Sequence, residues 1–313
     1  MPKDSGWGAA KRLKLWLAAT GNAATYADLV ARFGEPALRT ALATGSVARV
    51  LPGVYAAAEL SSDPLVRCKA LVAWSAPDGF ITGLAAAHMW GIGEEMPSVI
   101  TVHVQPSWHL RAPPWARLLR AQTQPVTLFR IRGVRVADAP DAVIQAWREA
   151  RPDIAAATVI EAVHGGLGTV TSLTEAIARR SQLPRRGRLV ELIALLDGGV
   201  TSYLEYIARR DAFPGRLFPE LQWQVEIWPA GRKRVMDAFD AEAMIDLEFD
   251  GFGSHGGAEA FETDRERDNE MRAVGIEPLH YTYNDVTKRP EWCRQNYRTV
   301  RATRLRQLGT GRT

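Results

Sequence analysis

Acidic side chains are concentrated in one stretch of this 313-residue chain. Between positions 237 and 270 there are twelve carboxylates and only two basic side chains, Arg265 and Arg267. The whole chain carries a net charge of +4, so the acidity is a local property. Crowded carboxylates repel one another unless water or a cation lies between them. The stretch therefore predicts either a solvated acidic surface or a cation-binding site.

The residues best placed to bind a cation fall on a predicted β-hairpin. Asp237 lies on its first strand, and apolar and acidic residues alternate along the second strand. Strand alternation puts Asp246, Glu248 and Asp250 on one face. Glu205, on a preceding helix, would join them if that helix packs over the open end of the hairpin.

Oxygen ligands of this kind favour a hard cation. Clustered carboxylates without cysteine or a nearby histidine pair predict Mg²⁺ or Mn²⁺ rather than zinc. Such a cation generates hydroxide and stabilises charge on a phosphate. Asp237, Glu248 and Asp250 are the predicted metal ligands, with Glu205 supporting or extending the site. A hairpin with one wet, acidic face is the alternative, and spacing alone leaves it open.

The elements that must position these residues form a compact unit. The hydrophobic pattern predicts helix, strand, hairpin, helix and strand in that order, at residues 201–210, 221–228, 235–250, 258–274 and 276–283. This order is typical of an α/β arrangement of ordinary domain size. The chain ends in a basic segment. Four arginines recur there on one face of a predicted helix (291–308) and are expected to hold a polyanion: Arg294, Arg298, Arg301 and Arg304. The alternative is a solvated or disordered tail.

The N-terminus predicts a different kind of module. Three short helices are followed by a hairpin with a Leu-Pro-Gly turn at 51–53, which is the order of a winged helix-turn-helix. Arg39, Thr40 and Thr44 on the third helix, with Arg49 at the wing, are the predicted DNA contacts. A solvated helix face, or a winged fold that binds protein, is the alternative.

Composition restricts the class of protein. The two cysteines lie far apart and form no redox or ligand motif, which indicates a reducing cytosol. No apolar run reaches the length of a membrane span, so we expect a cytoplasmic protein with no membrane partner. The length predicts more than one domain. The expected class is α+β, with a winged helix-turn-helix at 1–60, a mixed α/β region with a helical connector at 61–198, and the acidic unit at 199–313.

The stretch 201–285 resembles the very-short-patch-repair-like endonuclease domains, a branch of the PD-(D/E)XK nuclease superfamily. The resemblance rests on an ordered series that covers about a quarter of the chain: Glu205, Gln222, Asp237, Glu248, Asp250, Gly251, His255, Asp264 to Arg267, and Gly275 to His280. It implies a restriction-endonuclease-like fold for 199–313 and Mg²⁺-dependent cleavage of DNA.

The same resemblance implies roles for individual residues. His255 would assist proton transfer, and Gln222, Asp264 and Arg267 would support the site. Two positions depart from the pattern of the superfamily. Asp250 stands where the superfamily usually has lysine, as this branch typically shows, and His280 stands where an arginine is usual. Both departures leave catalysis open.

The N-terminal half resembles AbiEi-type antitoxins of type IV toxin–antitoxin systems. The matching segments are 25–29, 42–45 and 49–55, with a weaker match at 83–91. This resemblance implies binding to double-stranded operator DNA, with a cognate toxin or a second copy of the chain as candidate protein partners. Two rival functions follow: a non-enzymatic repressor of a toxin–antitoxin or phage-defence locus that uses a degenerate nuclease fold for binding, and a purely protein-interacting role.

Overall fold

The protein is represented by a computed structural model that describes residues 6–120, 127–250 and 258–310. The chain divides into two compact units, Met1–Pro184 and Arg185–Thr313. Each unit combines helices with β-sheet, so the protein is of mixed helical and sheet class, as predicted. Within the described ranges, no helix has both the length and the apolar character needed to cross a membrane.

The first unit begins with three helices and a three-stranded antiparallel sheet. These elements are α1 (Gly6–Thr20), β1 (Ala23–Thr25), α2 (Tyr26–Phe33), α3 (Glu35–Ala43), β2 (Val47–Leu51) and β3 (Val54–Ala57), and the strand order is β1-β3-β2. Thr25 begins α2 by accepting a hydrogen bond from the backbone N–H of Asp28. Gly34, with φ of +85°, separates α2 from α3 in a conformation that favours glycine. Apolar residues of all three helices, among them Leu13, Leu29 and Leu38, form the core.

The rest of this unit contains helices and a five-stranded sheet with strand order β6-β5-β4-β8-β7. In chain order these elements are α4 (Pro64–Trp74), β4 (Phe80–Thr82), α5 (Gly83–Met89), β5 (Ile100–Val104), β6 (Ala116–Arg120), β7 (Leu128–Ile131), β8 (Val134–Ala137), α6 (Ala139–Glu149), α7 (Pro152–His164) and α8 (Val170–Ala178). Leu71 and Trp74 of α4 share one core with Leu51 and Val54 of the first sheet. The domain boundary predicted at 60/61 therefore does not separate compact units.

The second unit is built on a four-stranded mixed sheet with order β12-β11-β10-β9. Its elements are α9 (Arg186–Asp197), α10 (Tyr203–Ile207), β9 (Leu221–Ile227), β10 (Arg234–Asp240), β11 (Ile245–Asp250), α11 (Ala258–Ala273), β12 (Glu277–Thr282), α12 (Tyr283–Lys288) and α13 (Pro290–Thr310). β9, β10 and β11 are antiparallel neighbours, whereas β11 and β12 are parallel. The predicted order of elements is present. The boundary predicted at 198/199 lies after α9, which belongs to this unit.

Candidate functional site

Asp237 and Glu248 lie at the same end of the β10–β11 hairpin. The ladder pairs Ala238 with Leu247, so the two acids are the next residues on their strands. The Oδ2 atom of Asp237 accepts a hydrogen bond of 2.9 Å from the backbone N–H of Phe249. Burial, together with the charges of neighbouring carboxylates that include Asp237, raises the pKa of Glu248. The structure thus brings these two predicted ligands together.

Glu205 reaches the same place from α10. Ser202 begins that helix by accepting a hydrogen bond of 3.0 Å from the Glu205 N–H, which fixes the first turn. The Glu205 carboxylate is buried and accepts bonds from the backbone N–H and the hydroxyl of Thr201, at 3.0 and 2.5 Å. Burial, and then the charge of Glu205, raise the pKa of Asp237 to about 7. The predicted approach of the helix to the hairpin is present.

Gln224 connects these two carboxylates, and the sequence prediction missed it. Its Nε2 donates to Glu205 Oε2 at 2.8 Å and to Asp237 Oδ1 at 3.4 Å. The prediction had named Gln222, which is exposed on the same strand. Gln224 has φ of +55°, an uncommon backbone conformation for a residue other than glycine. Because the two glutamines are two residues apart, strand alternation could not distinguish them.

Asp246 lies two residues before Glu248 on β11. It has 0% exposure, and neither of its carboxylate oxygens accepts a hydrogen bond from a nitrogen or hydroxyl donor among the described residues. The Glu248 carboxyl lies within hydrogen-bonding reach of the Asp246 carboxyl, so one proton shared between the two acids changes the pKa of both. Burial raises the pKa of Asp246 above its usual range. Two ionised carboxylates buried side by side would be unfavourable, so a shared proton removes one of the two charges.

Arg267 on α11 supplies positive charge to the carboxylate cluster. Its guanidinium donates to the Glu248 carboxylate and, at 2.9 Å, to the carbonyl of Val235. The residue therefore lies at the site, where the sequence prediction had given it a supporting role. Two other predicted residues receive no placement, because His255 and the side chain of Asp264 lie outside the described residues.

Asp250, the third predicted ligand, takes part in a separate contact. Its side chain is 50% exposed and lies 3.0 Å from the Nδ1 atom of His280. The Nε2 atom of His280 lies 2.9 Å from Asp268. Because both ring nitrogens face carboxylates, the imidazole is best satisfied when it is doubly protonated. The histidine thus provides a cation at the position where the resemblance led us to expect an arginine.

We expect this histidine to make the stability of the second unit depend on pH. Its hydrogen bond to Asp250, opposed by burial and helped by Asp268, raises the pKa of His280 from 6.5 to about 9. A raised folded-state pKa stabilises the unit fully below pH 6.5, and this stabilisation is lost as the pH rises towards 9. Urea unfolding between pH 6 and 10 should show the loss, and His280→Gln should flatten it. His109→Gln, an exposed substitution in the first unit, should leave it intact.

The donor set fits a hard cation in its chemistry. Glu205, Asp237, Asp246 and Glu248 contribute only oxygen atoms, which are the ligands that a hard cation prefers. The arrangement is not a ready-made ligand shell. Within the described ranges, no three or more His, Cys, Asp or Glu side chains are grouped so as to hold a metal. Binding would therefore require side chains of the cluster to move, in particular Glu248 away from Arg267.

The predicted DNA contacts of the first unit are distributed over α3 and β2. Arg39 is exposed on α3, where Glu35 lies 3.4 Å from its guanidinium. Arg49 is exposed on β2. Thr40 and Thr44 line a groove of about 450 Å³ together with residues of α1.

The predicted basic face of the C-terminal helix is engaged within its own unit. Arg294 donates to the carbonyls of Asp211 and Ala212, and Arg301 donates to Asp240 at 2.8 Å. Arg298 is exposed and lies over the Phe218 ring, at 5.3 Å from its centroid. The predicted helix is present as α13, but three of the four arginines predicted to hold a polyanion donate hydrogen bonds within the unit: Arg294, Arg301 and Arg304.

Comparison with known proteins gives little further information. No protein-family model matches the chain, and no curated protein matches it. Among solved structures, the chain is similar to the RV2827C protein from Mycobacterium tuberculosis, with 19% sequence identity and a TM-score of 0.41. The match covers 62% of this chain and 82% of that chain. At this level of similarity, we base no argument on it.

Proposed function

We propose that this chain binds double-stranded DNA and that its second unit is a PD-(D/E)XK-like nuclease that uses Mg²⁺ or Mn²⁺. The observation that carries the proposal is the convergence of Glu205, Asp237 and Glu248 from a helix and two strands. The unit also has the helix–strand–hairpin–helix–strand order that such a site requires. Each acid alone is unremarkable, but three acids held together and largely buried favour a bound cation.

The residues of the cluster divide the chemistry among them. Asp237 and Glu248 would hold the cation, which when bound lowers the pKa of water and stabilises charge on the scissile phosphate. Gln224 orients Glu205 and Asp237 through its amide. Arg267 fixes Glu248 and places a positive charge beside the position that a phosphate would occupy. We also propose that His255 assists proton transfer, as the sequence resemblance implies.

The test of this activity is incubation of the purified chain with supercoiled plasmid. We expect nicked and linear DNA with Mg²⁺ or Mn²⁺, and intact plasmid when a chelator is present. Asp237→Ala, prepared in the same way, separates cleavage by this site from that of a contaminating nuclease. Plasmid that stays intact with every cation, while the protein remains folded, would exclude the nuclease function.

We propose that the first part of unit one, residues 6–57, is a winged helix-turn-helix that contacts DNA phosphates. This range contains six Lys or Arg residues and two Asp or Glu residues, so its net charge is +4. The double variant Arg39→Ala plus Arg49→Ala removes two predicted phosphate contacts. We expect weaker binding and a log affinity–log salt slope that is shallower by about 2, since each contact contributes roughly 0.9. Electrophoretic shifts at several salt concentrations measure both quantities.

A matched control for this experiment removes the same charge elsewhere. Arg111 and Arg151 are exposed in the same unit and lie outside α3 and the hairpin. Arg111→Ala plus Arg151→Ala should leave the salt slope close to that of the wild type. Equal slopes for both double variants would mean that α3 and β2 are not the DNA-binding surface.

One observation favours a second candidate function. Several carboxylates already have protein partners: Arg267 contacts Glu248, His280 contacts Asp250, and Gln224 contacts both Glu205 and Asp237. Carboxylates that already have protein partners have less need of a bound cation. This favours a non-enzymatic, antitoxin-like repressor that uses the nuclease fold to bind DNA, a cognate toxin or a second copy of the chain. DNA binding without Mn²⁺ binding and without cleavage would support this function over the nuclease.

A further inference from the structure

Arg209 is a partly buried arginine without a carboxylate partner among the described residues. Its contacts there are with neutral groups: Nη1 lies 3.5 Å from the carbonyl oxygen of Gly198, and Cζ lies 5.4 Å from the centre of the Trp223 ring. Burial lowers the pKa of Arg209, and no neighbouring acid in the described ranges opposes this effect. A guanidinium stays protonated in proteins, so this positive charge has lost water without gaining an opposite charge.

The next residue, Arg210, differs in its partners. Its Nε donates to the Asp211 carboxylate at 2.7 Å, and its Nη1 donates to the Tyr206 hydroxyl at 2.7 Å. The opposite charge for Arg210 is therefore supplied by the adjacent residue. Of the two arginines, Arg209 is the one whose charge is not compensated in the described part of the chain.

Both arginines belong to a π-helical turn, Ala208–Ala212, which directly follows α10. A hydrogen bond of 2.7 Å runs from the Phe213 N–H to the Ala208 carbonyl, five residues earlier. Turns of this kind are rare and are frequent at functional sites. This one begins three residues after Glu205, a member of the candidate site.

Trp223 connects Arg209 to the carboxylates of the candidate site. It precedes Gln224, whose amide donates to Asp237, and it pairs across the sheet with Ala238, the residue after Asp237. The guanidinium and the indole ring are within the range of a cation–π interaction. The Arg209–Trp223 pair therefore flanks the carboxylate cluster.

This pair lies at an edge of the sheet that a polymer can reach. β9 stands last in the strand order, so one of its edges has no strand beside it in the described part of the chain. Trp223 is partly exposed, and Gln222 on the same strand is exposed. Trp228, which follows the strand, is 59% exposed.

We propose that Arg209, held against the Trp223 ring, binds a backbone phosphate of double-stranded DNA next to the scissile phosphate. A guanidinium stacked on an aromatic ring can still make two parallel hydrogen bonds to a phosphate. Arg267, the arginine on the other side of the cluster, already contacts Glu248. A phosphate contact of this kind positions the DNA and carries no sequence information. This inference rests on the proposed nuclease function and adds a substrate-binding residue to it.

The alternative is a structural role in which Arg209 stabilises the end of α9 through the Gly198 carbonyl. A positive charge at the C-terminal end of a helix is favourable, although 3.5 Å is long for a hydrogen bond. On this alternative, Arg209→Gln lowers the melting temperature and leaves DNA binding unchanged. On our proposal, the variant should melt no lower than the wild type, because it loses a partly buried charge that has no counter-ion.

The test measures binding of the full-length protein to a short synthetic duplex, by fluorescence anisotropy at several salt concentrations with a chelator present. Arg209→Gln removes one phosphate contact, so the log affinity–log salt slope should become shallower by about 0.9. Arg188→Gln removes the same charge from an exposed position near the start of α9 and should keep the wild-type slope. Arg209→Lys keeps the charge but not the planar fork, so it should keep the slope and bind more weakly.

Plasmid cleavage supplies a second measurement. A phosphate contact beside the reacting bond binds the ground state and the transition state alike. Arg209→Gln should therefore raise the KM for plasmid several-fold and change kcat less. Arg188→Gln should change neither quantity.

The outcomes separate this inference from the proposed function. A wild-type salt slope in Arg209→Gln overturns the assignment of Arg209, even if the wild type cleaves plasmid. If Arg209→Gln does not fold, Arg209→Lys decides, and wild-type affinity in that variant overturns the assignment. A wild type that neither binds the duplex nor cleaves plasmid overturns the proposed function, and this inference with it. A slope that is shallower in Arg209→Gln than in Arg188→Gln supports the phosphate contact.

Discussion

Cleavage of plasmid DNA should fall by at least about 100-fold when Asp237 is replaced by Asn, because substitution of groups that merely orient a metal ligand already costs roughly 10- to 100-fold. The amide keeps the size of the side chain but cannot supply the negative charge that a cation requires. The Phe249 N–H can still donate to the amide oxygen, and Gln224, which loses its long contact to this side chain, keeps Glu205 as its acceptor. The initial rate of nicking under excess Mg²⁺ or Mn²⁺ measures the loss.

Two further variants show whether this loss belongs to the site. Asp197 is exposed at the end of α9 in the same unit, so Asp197→Asn makes the same chemical change away from the cluster and should cleave at the wild-type rate. Gln224→Ala removes only the amide that connects Glu205 and Asp237. We expect an intermediate loss from it. If Asp237→Asn and Asp197→Asn cleave equally well, the carboxylate cluster does not catalyse the reaction.

Local sequence patterns predicted much of the second unit. Alternation along β11 identified Asp246, Glu248 and Asp250 as residues of one face, because the side-chain period of a strand is fixed by its backbone. The helix predicted at 201–210 is present from Tyr203 onwards as α10, which Ser202 begins by accepting the Glu205 N–H. Patterns of this kind are determined by a few neighbouring residues, which is why they can be read without a structure.

Which side chains contact one another within the site could not be predicted from local patterns. Gln222 and Gln224 are equivalent by alternation, and the left-handed backbone at Gln224 depends on packing around it. Asp246 and Asp250 are equivalent too, until the positions of Arg267 and His280 are known. Those positions come from α11 and β12, which meet β11 only through the tertiary fold. Contacts between residues far apart in sequence therefore decided which acids lie in the cluster.

The basic C-terminal segment shows the same limit. Its arginines recur at helical spacing, and the helix they predict is present as α13. The spacing does not reveal what that face contacts. Tyr297 and Cys293 on α13 are buried, so the helix packs on the unit and carries its arginines with it. A charged stripe beside buried aromatic residues indicates internal ion pairs as readily as a surface for polyanions.

Arg301→Ala should destabilise the second unit by about 3 kcal/mol, the lower end of what is lost when one partner of a buried ion pair is removed. Asp240 has 0% exposure, and its carboxylate accepts hydrogen bonds from Arg301 at 2.8 Å and from the Tyr297 hydroxyl at 2.7 Å. Without the guanidinium, a buried negative charge keeps only neutral donors. Hydrogen exchange of the β10 and α13 amides measures the loss within this unit.

Matched variants distinguish loss of the ion pair from loss of positive charge in general. Arg298→Ala removes the same charge from the exposed face of α13 and should change stability by less than about 0.5 kcal/mol. The double variant Arg301→Ala plus Asp240→Asn removes both charges, so it should be more stable than Arg301→Ala alone. Faster exchange in Arg298→Ala than in Arg301→Ala would contradict the role of the Asp240–Arg301 pair. If exchange is faster in Arg301→Ala than in Arg298→Ala, α13 is part of the folded unit. Its arginines must then be tested for DNA binding by single substitutions and not by removal of the helix.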